Sequence, residues 1–170
     1  MQAIFTSFNP QKSRTERAQA IAEFAIVLPI LMMLLVGILE AGRMVFIYAA
    51  VNNASREAAR YASAYGDNGA GVAKYQDCNG ITNMAKRSAF FTPLTITMAY
   101  DHGTTASTFD TCTGATDSAV VVNSGTNVDR ATVTVSATYK PMVKLLPLPT
   151  RTVTATSSRT ILGILELSNP

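Results

Sequence analysis

The chain has 170 residues, of which 48% are hydrophobic and only 15% charged, and its formal charge is +3. Soluble proteins average about 25% charged residues, and disorder requires low hydrophobicity with high charge, so neither a plain soluble globule nor a disordered chain fits. The charge is too small and too scattered for a nucleic-acid footprint, which needs a basic stripe with interleaved aromatics.

Residues 1–17 are polar and irregular, and Lys12, Arg14 and Arg17 oppose only Glu16. From Phe24 to Leu39 the chain then reads FAIVLPILMMLLVGIL, sixteen residues without a charge. With Ala18 to Glu23 added, this makes a segment whose only charge is Glu23. About 20 predominantly apolar residues span a bilayer as a helix, and basic residues before the span favour a cytoplasmic N-terminus. Everything after residue 40 would then lie on the far side. A cleaved secretory signal is the competing reading. Its apolar region should be about 7–15 residues long and end at a small-residue cleavage site, whereas here the apolar character continues into LEAGRMVFIYAAV. Pro29 interrupts the run, and a mild kink is expected there because membrane helices tolerate such a proline.

The helix is expected to continue beyond the membrane as a stalk to about Tyr65. Met44, Ile47, Val51, Ala54, Ala58, Tyr61 and Tyr65 recur at steps of three and four, which is a helical apolar face. Gly66-Asp67-Asn68-Gly69 is the first firm stop. It resembles a calcium loop only faintly, lacking the alternating ligands and terminal Glu, so a helix-ending turn is the better reading.

The distal part reads as a small mixed domain. A short helix is expected over Ile81–Phe91. Strands are expected over Leu94–Tyr100, Ala119–Val122, Ala131–Tyr139 and around Val153 and Ala155, mostly from strict alternation of apolar residues with Thr and Ser. Pro141–Pro149, PMVKLLPLP, reads as an apolar, proline-bounded loop. Period-2 patterning buries one sheet face and leaves the other in water. Eighteen of the 21 Thr lie between 92 and 160, which suits the wet face. The apolar face from Met44 to Tyr65 is the natural cover for the other. The expected fold is therefore α+β: a long N-terminal transmembrane-plus-stalk helix packed on a small, mainly antiparallel sheet.

Cys78 and Cys112 both follow the span, and in an extracytoplasmic compartment a disulfide is the default. Two free thiols are the alternative. Two Cys and one His cannot close a zinc site, and no cofactor or metal is expected. His102 sits in an Asp-His-Gly loop with no nucleophile in a recognisable relation to it, so a solvated loop histidine is expected. The glycines at 66, 69 and 71 are not followed by a Lys-Ser/Thr pair, so they make no phosphate loop. No enzyme is expected.

Glu23 is the residue that a bland anchor does not explain. An ionisable group inside a membrane segment is costly. Either it snorkels to the cytoplasmic interface or it pairs with a positive group of another subunit. Glu40 lies near the far interface, where its charge should reach water and Arg43, three residues on, can pair with it.

Arg17-Ala18-Gln19-Ala20-Ile21-Ala22-Glu23-Phe24-Ala25 resembles the start of TadE-like proteins, the minor pilins or pseudopilins of the tight-adherence (Flp, type IVc) pilus. The likeness continues through Val27-Leu28-Pro29, Gly37-Ile38-Leu39-Glu40-Ala41-Gly42-Arg43 and Asn53-Ala54-Ser55-Arg56-Glu57-Ala58-Ala59-Arg60-Tyr61-Ala62. It implies a prepilin-peptidase cut between Ala18 and Gln19, which makes Glu23 the fifth and Phe24 the sixth residue of the mature chain and gives both a part in subunit assembly. The family usually has Gly before the cut, and this chain has Ala18. The implied organisation is a cytoplasmic leader (1–18), a transmembrane helix (19–40), an amphipathic stalk (41–65) and an extracytoplasmic head (66–170). The implied partners are other pilins or pseudopilins, the prepilin peptidase, the inner-membrane assembly platform and membrane lipid, but no nucleic acid. The protein would sit in the bacterial cytoplasmic membrane or the pilus it builds. The alternative is a permanently membrane-anchored extracytoplasmic binding protein that keeps residues 1–18.

Overall fold

The computed structural model describes residues 10–89, 92–103, 108–112, 114–117, 129–142 and 149–161. The architecture is α+β, in two compact units, Met1–Gly42 and Arg43–Pro170.

Helix α1 runs over Pro10–Ser63, 54 residues, which is about 80 Å at 1.5 Å per residue. It starts eight residues before Ala18, inside the stretch read from sequence as irregular. Pro10 suits the first helical turn, where its missing N–H is not needed, and residues 11–17 contain neither Gly nor Pro. Their polarity says nothing against helix; it only removes the periodic signal. In the first unit, every residue from Arg17 to Leu35 is exposed. The helix is long and apolar enough to cross a membrane, and none of its most apolar stretch is buried. A bare surface of this kind is what soluble proteins avoid.

The second unit is built on the C-terminal part of α1. That part ends at Ser63, and Gly66 and Gly69 then take positive φ (97° and 84°) that glycine adopts without strain. Asp67 and Asn68 accept backbone bonds from Gly69 and Ala70 at 2.8 and 2.9 Å, so the Gly-Asp-Asn-Gly stretch is a helix-ending turn. After a 3₁₀ turn at Lys74–Gln76 comes α2, Cys78–Ser88. It starts three residues earlier than expected from sequence. Asp77 caps it, accepting from Gly80 N at 2.9 Å, and a capping Asp is the start signal that an apolar-periodicity reading overlooks. Residues 90–91, the end of the expected helix, lie outside the described residues.

Among the described residues, four strands form one antiparallel sheet: β1 Leu94–Asp101, β2 Thr108–Thr111, β3 Arg130–Tyr139 and β4 Arg151–Thr160, in the order β2-β1-β3-β4. Expected strands appear at β1, β3 and β4. The expected strand Ala119–Val122 and most of the Pro141–Pro149 loop lie outside the described residues. β3 alternates as expected: Ala131, Val133, Val135, Ala137 and Tyr139 are buried. On the opposite face, Thr134 bonds Thr156 at 3.0 Å and Thr132 bonds Ser158 at 2.8 Å, cross-strand pairs of the kind that stabilise a sheet.

One core joins the sheet to α1. It contains Ile47, Val51, Ala54, Ala58 and Ala62 of the helix with Met98, Tyr100, Val133, Val135 and Tyr139 of the strands. The cover is thus the C-terminal part of α1, as expected, but its buried face is shorter than expected. Met44 and Tyr65 are 43% and 68% exposed, whereas Ala50 and Ala59 are buried. Tyr65 lies past the last helical residue. The alanines let the helix backbone approach closely, and the tyrosines and valines of the sheet fill the space they leave, the large-against-small arrangement that close packing requires.

Candidate functional site

The residues implied in processing and assembly lie on the exposed part of α1. Ala18 and Gln19 are exposed helical residues. Gln19 and Glu23 are one turn apart on the same face, and Gln19 Nε2 donates to Glu23 Oε1 at 3.0 Å. Phe24 follows, 63% exposed. A carboxylate and a phenyl ring are therefore presented outward at the start of the apolar run. Helix α1 continues through Pro29, which cannot donate to the Ala25 carbonyl.

Glu40 and Arg43 were expected at the far interface, with Glu40 reaching water. Glu40 is instead buried, 5% exposed. Arg43 Nη1 donates to the Lys140 carbonyl at 2.8 Å, and its guanidinium lies 5.4 Å from the centre of the Tyr139 ring. That is within cation–π range. Helical spacing could not reveal this contact, because its partner is 97 positions away.

Cys78 and Cys112 form a disulfide with Cα atoms 5.7 Å apart. It ties the first residue of α2 to the residue after β2.

Three polar nodes of the second unit were not visible in the sequence. Tyr61 of α1 donates to Asp77 Oδ2 at 2.8 Å, joining the two helices. A Cβ at Gly80 would clash with Asp77 and Tyr61, so this node needs glycine. Burial, then the bond to Asp77, pushes the Tyr61 hydroxyl up to about 12. Burial works to raise the Asp77 carboxyl, but bonds from Gly80, Tyr61 and Asn68 outweigh it and hold it below the ordinary carboxylate value. At the second node, Asp101 accepts from Arg130 Nε at 2.7 Å and Thr132 Oγ1 at 3.0 Å. Burial again acts upward, and these donors with the Arg130 charge win, lowering its pKa. At the third, His102 Nδ1 lies 2.6 Å from Asp129 Oδ1, whose side chain is wholly buried, while that of His102 is 39% exposed. The expected solvated histidine is therefore a tie between the end of β1 and the start of β3. Among the described residues, no group of three or more His, Cys, Asp or Glu could hold a metal ion.

The depressed carboxylates carry a pH dependence. A carboxylate with a lowered folded-state pKa stabilises fully above its unfolded value, about 3.9 for Asp, and that contribution is lost as pH falls through the folded value. Denaturation of the full chain in detergent is therefore expected to be independent of these two groups from pH 7 to about 5 and to ease below about 4. Asp101→Asn is expected to cost about 2 kcal/mol at neutral pH and to flatten the acid decline. An unchanged acid profile in this variant would remove Asp101 from the account.

Residues 18–60 match the family described as TadE-like protein. No curated protein and no solved structure matches the chain. The matched segment, about a quarter of the chain, lies wholly within α1.

Proposed function

Starting from a TadE-like first helix, we propose that this chain is a minor pilin or pseudopilin that takes part in assembling a Tad-type pilus for adherence or secretion. The observation that carries this reading is the start of α1. The family likeness begins at Ala18, and from there Glu23 is the one charged residue on a helix surface that is mainly apolar and exposed as far as Leu35. Such a surface needs lipid, other helices or both. In this reading residues 1–18 are a cytoplasmic leader cut off between Ala18 and Gln19. Residues 19–40 span the cytoplasmic membrane, 41–65 form the stalk and 66–170 the extracytoplasmic head. Pro29 supplies a mild kink, and Glu40 with Arg43 marks the far edge of the span. The partners are the prepilin peptidase, the assembly platform and other pilins or pseudopilins, met through Glu23 and Phe24. The protein performs no catalysis.

A second reading rests on Ala18, which stands where the family usually has Gly. Without the cut, the chain is a permanently anchored extracytoplasmic binding protein. The mature N-terminus separates the two. Intact mass or N-terminal sequencing of protein from its native host is expected to show a chain beginning at Gln19. A chain still beginning at Met1 would end the pilin mechanism and leave the anchor.

A further inference from the structure

One end of the head gathers cations from three distant parts of the chain. Arg43 follows Leu39, where the uncharged run ends, by four residues. It is hydrogen-bonded to the carbonyl of Lys140 at 2.8 Å and lies over the ring of Tyr139. Tyr139 is in turn the register partner of Arg151, at the start of β4. Lys140 and Arg151 are exposed. Met142, two residues beyond Lys140, is 75% exposed, and Tyr48, within two turns of Arg43 on α1, is 59% exposed. Lys140 and Arg151 thus present two cations to the surface at this end of the sheet.

We propose that this end of the head is a second membrane-contact surface that takes anionic phospholipid headgroups, with Lys140 and Arg151 on the phosphates and Met142 dipping below them. The proposal rests on the reading of residues 19–40 as a membrane span. Chain connectivity then does the positioning. Four helical residues rise about 6 Å, which is about the depth of one headgroup layer. Arg43 is thereby held at phosphate level, and the backbone of Lys140 is held to Arg43. Tyrosine favours this interface, and lysine and arginine stems lie along apolar surface while their charges reach the headgroups. A basic residue near an anionic surface contributes roughly a five-fold factor in binding.

The chain has no tryptophan, so a single one reports cleanly. Met142→Trp in the full chain, reconstituted in nanodiscs containing phosphatidylglycerol, is expected to show blue-shifted emission that brominated lipid quenches. Arg159→Trp, eight residues further along β4 and so about 26 Å away, is expected to stay unquenched. Adding Lys140→Gln and Arg151→Gln to Met142→Trp is expected to reduce quenching to the level seen in neutral phosphatidylcholine discs. An intact Cys78–Cys112 bridge confirms that each variant is folded. If the chain stays in the disc but Met142→Trp is as unquenched as Arg159→Trp, the contact surface is wrong. Quenching that is equal in neutral and anionic discs, and indifferent to Lys140 and Arg151, overturns the headgroup assignment. A chain recovered outside the disc overturns the spanning reading itself, and this proposal with it.

Discussion

Glu23→Gln is expected to leave membrane insertion and N-terminal processing intact and to abolish association with other pilins. Removing residues 1–18 would free the amine of Gln19, a positive charge at the membrane surface. On one chain that amine and Glu23 are a turn apart. In a bundle, the Glu23 of one subunit can reach the amine of its neighbour. An ion pair is stronger where the surroundings are less polarisable than water. Losing one partner of a buried pair costs about 3–5 kcal/mol, because the other charge is left uncompensated. That is a loss of about two to three and a half orders of magnitude in association at each contact, by about 1.4 kcal/mol per tenfold. The bond that Gln19 donates to Glu23 also has a carbonyl to accept it in the variant, so the helix itself should be undisturbed. Glu57→Gln is the proper control. Its pair with Arg60 is a surface bridge, 2.8 Å long between side chains 44% and 70% exposed, and such bridges contribute little. Glu40→Gln would not serve, because Glu40 is buried. The measurement is co-purification with other pilins together with counts of surface pili. If Glu23→Gln assembles as well as its parent, the carboxylate only snorkels and the intersubunit role falls.

Replacing both Cys78 and Cys112 by alanine is expected to give the largest loss of stability in the head. The bridge closes a loop between positions 34 apart, for which the chain-entropy model gives about 3–4 kcal/mol. It joins α2, held to Tyr61 through Asp77, to the short strand β2, which among the described residues pairs only with β1. Such a strand has little to hold it once the link is gone. A fall of roughly 10–15 °C in melting temperature is the corresponding size for a unit of this length. Thermal unfolding of the full chain in detergent, with and without reductant, measures it. Reductant should lower the parent to the level of the double variant and leave the variant unmoved. Equal melting of the two chains without reductant would show that the sheet and helix core carry the head without the bridge.

The elements legible in the sequence were those whose pattern is repeated within the element. The run from Phe24 to Leu39 is sixteen residues without a charge, and β3 writes its buried face as five apolar residues alternating with polar ones. β2 was missed because Thr108–Thr111 is too short to show a period. The first turns of α1 were missed because residues 11–17 are polar all round and need no apolar stripe to be helical. In the candidate site, Glu23 and the cysteine pair stood out by chemistry alone: a carboxylate at the edge of an apolar run, and two thiols beyond that run.

The sequence by itself thus determined the long apolar helix and the three patterned strands, and it singled out Glu23 at the edge of the apolar run, since each depends on residues close together in the chain. Only the tertiary structure decided the rest. The order β2-β1-β3-β4 brings Asp101 to Arg130 and places Tyr139 opposite Arg151, and the seating of α1 on that sheet brings Arg43 to Lys140. These contacts depend on strand register and on which helix face is covered, and both are set by long-range burial of the common core rather than by any local run of residues.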